Sequence, residues 1–298
     1  MSKLQKPFLK WAGGKTQIID TVLSKFPSEM KNYHEPFLGG GSVLLALLTL
    51  ISNNKIKIHG KIYACDSNES LINLYLHIQC KKDELYNCID TYINEFNNIS
   101  GEEVNRNPDN KTQATTSKES YYYYIRKSYN KSPLGSIERS AMFLFLNKTC
   151  FRGLYREGPN GFNVPYGHYK NPSIVNKDEL DNISEMIKDV EFKACDFTES
   201  FKNIIEGDFV YIDPPYAPET SKSFVKYTES GFDLNCHNRL FDIIKKTHDL
   251  HVKFVLSNAN VELVKKSFET FKREELIAKR AINSKNPESV TKELLIYN

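Results

Sequence analysis

The segment from Tyr33 to Asp66 restricts the fold more than any other part of this 298-residue chain. It reads Tyr33-His34-Glu35-Pro36-Phe37-Leu38, then Gly39-Gly40-Gly41-Ser42, then an apolar run from Val43 to Leu50. Lys61-Ile62-Tyr63-Ala64-Cys65 follows and ends at Asp66. A short strand, a glycine turn, a helix and a second strand that delivers an acid make the sequence form of a β-α-β nucleotide-binding unit. Consecutive glycines let the backbone run close to a ligand and present N–H groups at the head of a helix. The dinucleotide fingerprint is not met, because Leu44 stands where its last glycine belongs. Asp66, at a strand end some 25 residues beyond the turn, suits a ribose, so an adenosine-type ligand is expected.

The same alternation resumes late in the chain. Strands are expected at Val190–Cys195, Phe209–Ile212, Lys253–Leu256 and Glu293–Tyr297, with helices at Thr198–Ile205, Asn235–Leu250 and Glu262–Phe268. The first three strands end at Asp196, Asp213 and Ser257-Asn258, and open α/β sheets bind ligands beyond the carboxyl ends of their strands. Between these halves, residues 77–172 look helical. Within them Asn97 to Ser120 is polar and aperiodic and reads as a mobile loop, while Cys150 to Tyr169 is punctuated by Gly and Pro, with Asn160-Gly161 as a β-hairpin tip. One α/β domain (1–76 and 173–298) interrupted by a mainly helical insert (77–172) is the economical reading.

Charge distribution sharpens that division. The chain carries a net charge of only +3, yet Lys118 to Glu157 holds eight basic and three acidic residues, +5, and the remainder is −2. Tyr121 to Tyr124, Tyr129, Phe143, Phe145, Phe151 and Tyr155 interleave with those cations. Such a pattern suits phosphates and stacked bases; it equally suits a solvated helix face over an aromatic core. No apolar run approaches a membrane span, Val43 to Ile51 being too short. The start, Met1-Ser2-Lys3-Leu4, lacks an apolar export signal, and the six cysteines form no C-x-x-C pair. An intracellular protein with reduced, buried thiols is expected.

Gly13-Gly14-Lys15-Thr16 contains G-K-T, but the upstream glycine of a P-loop is missing, Leu9 and Lys10 occupying that place. The sharpest chemical signal is Phe209-Val210-Tyr211-Ile212-Asp213-Pro214-Pro215-Tyr216. A hydrophobic strand delivers Asp213, and two prolines then fix the turn and remove two N–H donors. The site offers a carboxylate acceptor, a rigid carbonyl acceptor and an aromatic face. An exocyclic amine needs that set: both N–H groups engaged, the lone pair turned out of the ring plane, and the ring held by stacking.

Taken together, these segments resemble the Dam-type (D12 class) DNA adenine-N6 methyltransferases, which use S-adenosylmethionine (SAM). The resemblance rests on PFLKWAGGK (7–15), EPFLGGGSV (35–43), YACDSN (63–68), NKTCFRGLYREGPNGFNVPYG (147–167), ACDF (194–197), DPPYAP (213–218) and AINS (281–284), in the family's order and over nearly the whole chain. It implies a Rossmann-like SAM-dependent methyltransferase sheet with an inserted, mainly helical DNA-recognition domain carrying a β-hairpin. Trp11, Lys15, Phe37, Gly39, Gly40 and Gly41 would line the cofactor, Asp66 would hold its ribose, and Asp196 with Phe197 its adenine. Asp213, Pro214, Pro215 and Tyr216 would form the catalytic pocket, and Arg152, Leu154, Arg156, Asn163 and Pro165 would meet DNA. Arg156 there suits guanine and Pro165 a thymine methyl.

The same resemblance implies a target adenine swung out of duplex DNA, a four-base palindrome such as GATC or CATG, and no metal. A restriction endonuclease acting on the same site is a candidate second partner. Two departures bear on the target sequence: Arg152 occupies a place where relatives usually carry Asn, and the Asn97–Ser120 loop is longer than usual. Asp-Pro-Pro-Tyr chemistry would also serve cytosine N4 or adenine in RNA, and a silent nucleic-acid-binding protein would require a damaged cofactor pocket.

Overall fold

The computed structural model describes residues 4–217, 232–279 and 290–298; the AINS segment and Pro218 lie outside them. A seven-stranded sheet forms from β1 (Tyr33–Glu35), β2 (Ile62–Asp66), β3 (Val190–Ala194), β4 (Phe209–Ile212), β5 (Lys253–Ala259), β6 (Lys272–Lys279) and β7 (Val290–Tyr297). Their order is 3-2-1-4-5-7-6. The pairs among β1 to β5 are parallel, and β7 runs antiparallel between β5 and β6. This is an α/β fold with a mixed sheet of Rossmann-like order. All four residues of β4 are buried, as a strand covered on both faces demands. The order reverses between β1 and β4, which opens a crevice at their carboxyl ends.

The glycine turn leads into α1 (Ser42–Ser52), where Val43 to Thr49 are all buried. A helix apolar all round is one packed on every side. The segment 77–172 contributes α2 (Lys82–Asn97), α3 (Lys118–Lys131) and α4 (Ile137–Thr149). A single apolar cluster joins these helices to the sheet, running from Phe8 and Leu45 to Tyr121 and Phe145. A second lies around β4, β5 and β7, with Val210, Leu240 and Phe254. Among the described residues, no helix is long and apolar enough to cross a membrane.

Packing decides between some readings and corrects others. Tyr121, Tyr122, Tyr129, Phe143 and Phe145 are buried, so for most of the aromatic run the reading as an aromatic core holds, not that as a stacking surface. Two of its cations serve that core: Arg139 Nη1 donates to the Tyr129 carbonyl at 2.6 Å, and Arg126 Nη1 to the Val164 carbonyl at 3.1 Å. The 97–120 stretch is pinned, by Arg106 to Glu119 at 2.8 Å and Lys127 to Asp109 at 2.7 Å, and it carries a short helix, Lys111–Ala114. The helix expected at Thr198–Ile205 spans only Phe197–Ser200. The hairpin turns on Pro159-Asn160, with Gly161 (φ +85°) already paired to Gly158. The cysteines are free, but Cys80 is exposed and only Cys65 and Cys150 are buried.

Candidate active site

Two walls meet at the crevice between β1 and β4. The first is the glycine turn. Gly39 N–H donates to Asp66 Oδ2 at 2.9 Å, and Asn68 N–H to Asp66 Oδ1 at 2.9 Å, so one half-buried carboxylate ties the turn to the end of β2. Burial pushes the Asp66 carboxyl up, against the lowering by these backbone N–H groups. Trp11 packs closely against the turn: a Cβ at Gly40 would stand 2.8 Å from Trp11 Cβ, and one at Gly39 3.0 Å from Trp11 Cδ1. Lys15 N–H donates to Ser42 Oγ at 3.1 Å, which fastens the 11–15 segment to the start of α1.

Aromatic rings close one end of this wall. Phe37, just past β1, stacks on Phe197 at 5.6 Å and 27°, and Phe232 packs edge-on to Phe37 at 5.9 Å. Asp196 caps the short helix after β3, accepting from the Thr198 N–H at 3.0 Å and the Thr198 hydroxyl at 2.6 Å. Its side chain is exposed and lies 3.6 Å from Arg239.

The second wall is the Asp-Pro-Pro-Tyr turn at the end of β4. Lys15 is 2% exposed; its Nζ lies 2.7 Å from Asp213 Oδ2 and donates to the Gly13 carbonyl at 2.6 Å. The same Nζ stands 5.0 Å from the Tyr216 ring centroid. Tyr216 donates its hydroxyl to Glu293 Oε2 at 2.8 Å, and Ala217 N–H donates to Asn258 Oδ1 at 3.1 Å. Burial pushes the Asp213 carboxyl up to about 6; Lys15 opposes the shift and Glu293 adds to it. Glu35, at the end of β1, is pushed up to about 8 by burial, against the Tyr33 hydroxyl bond of 2.7 Å and with Asp213 and Asp66 adding to it.

Lys15, expected among the cofactor residues, is set by the fold against Asp213. Glu35, Glu293 and Tyr33 join the site without having been expected there. Glu35 carried a signal, an acid at the end of the strand beside the glycine turn; Glu293 carried none, because its partner lies 77 residues away.

The hairpin residues form a separate surface joined to the first wall. Arg156 is exposed, its Nε donating to Asn163 Oδ1 at 2.6 Å, while Asn163 N–H returns a bond to the Arg156 carbonyl at 3.1 Å. Pro165 is exposed and its carbonyl accepts from Phe151 N–H at 2.8 Å. Leu154 is half-buried against the core. Arg152 sits at φ +58°, with its guanidinium 5.2 Å from the ring of Phe151, itself 44% exposed. Between hairpin and glycine turn stands Trp11, stacked on Tyr155 at 5.8 Å and 22°.

Residues 11–282 match the family described as D12 class N6 adenine-specific DNA methyltransferase. The chain is 37% identical over 305 residues to the type II methyltransferase M.MjaIII of Methanocaldococcus jannaschii, spanning 98% of this chain and 99% of that one. It is 32% identical over 289 residues to the type II methyltransferase M1.LlaDCHI of Lactococcus lactis subsp. cremoris, covering 94% and 90%. Identity to the DNA adenine methylase of Haemophilus influenzae is 31% over 290 residues, covering 96% and 91%.

Proposed function

The chain belongs to the D12 class of N6 adenine-specific DNA methyltransferases, and from that premise we propose which residues perform each part of the reaction. The enzyme methylates adenine in DNA, and its family uses SAM as cofactor. The observation that carries the proposal is the Asp213 carboxylate at the end of β4, held 2.7 Å from Lys15 beside the glycine turn.

The first wall fits SAM. Each Asp66 oxygen accepts one backbone N–H, leaving acceptor capacity for a ribose diol. Gly39, Gly40 and Gly41 present backbone at the head of α1, Phe37 and Phe197 offer an apolar flank to an adenine ring, and Asp196 lies next to them. Trp11 and Lys15 back the turn. When bound, SAM would supply an electrophilic methyl group.

The chain's own residues prepare the acceptor. A stacked adenine cannot bring its N6 into this crevice, so the target base is extruded at a cost of a few kcal/mol. Tyr216 offers the ring on which it stacks. Asp213 accepts one N6–H and the Pro214 carbonyl the other, with Pro215 holding the turn rigid; the lone pair is thereby turned out of the ring plane. S-adenosylhomocysteine would be the product left on the first wall; the Asp213 carboxylate stabilises the positive charge that develops on N6 and accepts the proton that N6 then loses.

Residues 1–76 and 173–298 serve catalysis in this reading, and 77–172 serve target recognition on double-stranded DNA. Arg156, steadied by Asn163, has the planar fork that reads guanine, and Pro165 offers an apolar contact for a thymine methyl. Leu154 and Arg152 flank them. The recognition site is a four-base palindrome containing adenine, GATC or CATG, and a restriction endonuclease cutting the same site is the proposed second partner.

Tritiated SAM and duplex DNA test the assignment. Asp213→Ala is expected to abolish methyl transfer while SAM binding by calorimetry stays within a few-fold; wild-type turnover in that variant refutes it. Mapping N6-methyladenine at base resolution on a random-sequence duplex identifies the site.

A further inference from the structure

We propose that Glu293 is a positioning residue which, by accepting the Tyr216 hydroxyl, fixes the ring on which the extruded adenine stacks. The inference rests on the reading of Tyr216 as the stacking platform.

Pro214 and Pro215 have no N–H to donate, so the turn has few backbone donors with which to hold itself to the sheet. Ala217 N–H reaches Asn258 Oδ1 on β5 at 3.1 Å. That bond fixes where the chain passes, but not the angle of the tyrosine ring, which turns about its own side-chain bonds. The far end of that ring is held through its hydroxyl, which donates to Glu293 Oε2 at 2.8 Å and faces the Asp213 carboxylate on its other side. Glu293 lies on β7 opposite Ala259, and its neighbour Leu294 lies opposite Asn258. Two adjacent strands therefore grip the turn at two points, one on the backbone and one on the phenol.

Glu293 is a costly choice for a mere strand position. It places a second carboxylate near Asp213, where Lys15 is already ion-paired at 2.7 Å. A β-branched or apolar residue would satisfy β7 without that repulsion. What the carboxylate adds is a charge-assisted acceptor, stronger and more directional than a neutral one. The antiparallel strand thus gains a part in base capture.

The test uses the full-length enzyme with two duplexes: one with adenine at the target position, on which turnover is measured, and one with 2-aminopurine there, whose fluorescence rises when unstacked and is quenched on an aromatic ring. Glu293→Leu and Tyr216→Phe each remove the same hydrogen bond. Both are expected to lower kcat by roughly 10- to 100-fold, the scale of a misplaced reacting group. KM for SAM should change less than about twofold, because that wall is untouched. Fluorescence of the bound duplex should rise as the stack loosens. Glu293→Gln keeps an acceptor and should recover most of the turnover, and the double variant should be no slower than either single one.

If Glu293→Leu does not fold, Glu293→Ala takes its place beside Tyr216→Phe, because the Tyr216 hydroxyl also faces Asp213 and the Phe variant must be read against a change at Glu293. Wild-type kcat and fluorescence in Tyr216→Phe overturn the inference, whatever Glu293→Leu does. Tyr216→Ala separates the two levels. Loss of turnover there with a wild-type Tyr216→Phe sinks only the role of Glu293, whereas full turnover in Tyr216→Ala sinks the platform reading itself.

Discussion

The ammonium of Lys15 lies 2.7 Å from the carboxylate of Asp213, although the two are far apart in the chain and stand in motifs that look unrelated. The pairing sets when the acid can act. Burial pushes the Asp213 carboxyl up to about 6, and Lys15 holds it below the value that burial alone would give.

Removing that cation has a signed consequence. Catalysis requires the ionised carboxylate, so the wild-type kcat should fall as pH drops through about 6. In Lys15→Met the Asp213 pKa rises further, and the acid limb of kcat at saturating SAM should move up by about 1–3 pH units, the usual effect of losing an adjacent opposite charge. A pH–rate profile for both proteins measures it. An unmoved limb would show that Lys15 does not govern the ionisation of Asp213.

Glu35 gives a stability prediction. In the unfolded chain it ionises near its ordinary 4.5, and in the folded protein burial holds it protonated up to about 8. Folding therefore binds a proton between those values, and its contribution to stability falls as pH rises, by roughly 1.4 kcal/mol per unit. Glu35→Gln lacks this slope. Urea unfolding of both proteins at pH 5 and pH 8 should show the variant gaining on the wild type at the higher pH. A difference independent of pH would contradict the buried, neutral carboxyl.

These groups also mark how far the sequence could be read. β4 was legible because Phe209 to Ile212 is an unbroken apolar run, and Asp213 because two prolines follow it. β6 was not: it opens Lys272-Arg273-Glu274-Glu275, with the charges of an edge strand in place of alternation. The tyrosines of α3 left two readings open, a nucleic-acid surface or an aromatic core, because composition cannot say which way a ring points; packing turned Tyr121, Tyr122 and Tyr129 inward. The 97–120 stretch had no periodicity because side-chain pairs such as Arg106 with Glu119 order it. Contacts across long separations, such as Tyr216 with Glu293, exist only after the sheet has formed.

The glycine turn predicts a substitution confined to the cofactor wall. A methyl group at Gly40 would stand 2.8 Å from Trp11 Cβ, too close unless the turn and the 11–15 segment separate. Gly40→Ala should therefore weaken SAM binding by about 10-fold, some 1.4 kcal/mol. Calorimetric titration with SAM measures it, and DNA affinity by anisotropy should stay unchanged. An unaltered SAM affinity would mean that the close fit of Trp11 on the turn does not shape the cofactor site.

Arg156 carries the last prediction, on sequence choice. Its guanidinium is exposed at the hairpin and steadied by Asn163 Oδ1 at 2.6 Å, so it is pre-oriented before any base arrives. A bidentate contact to guanine contributes about 1–3 kcal/mol of discrimination. Arg156→Ala should thus reduce the ratio of kcat/KM between the cognate duplex and one substituted at the outer guanine by roughly 5- to 150-fold, at unchanged affinity for SAM. Asn163→Ala leaves the guanidinium in place but loose and should lose a smaller part of that ratio. Methylation rates on the two duplexes measure both effects. Equal discrimination by wild type and Arg156→Ala would move base reading to other residues of the hairpin, whereas a uniform loss on both duplexes would make Arg156 a phosphate contact.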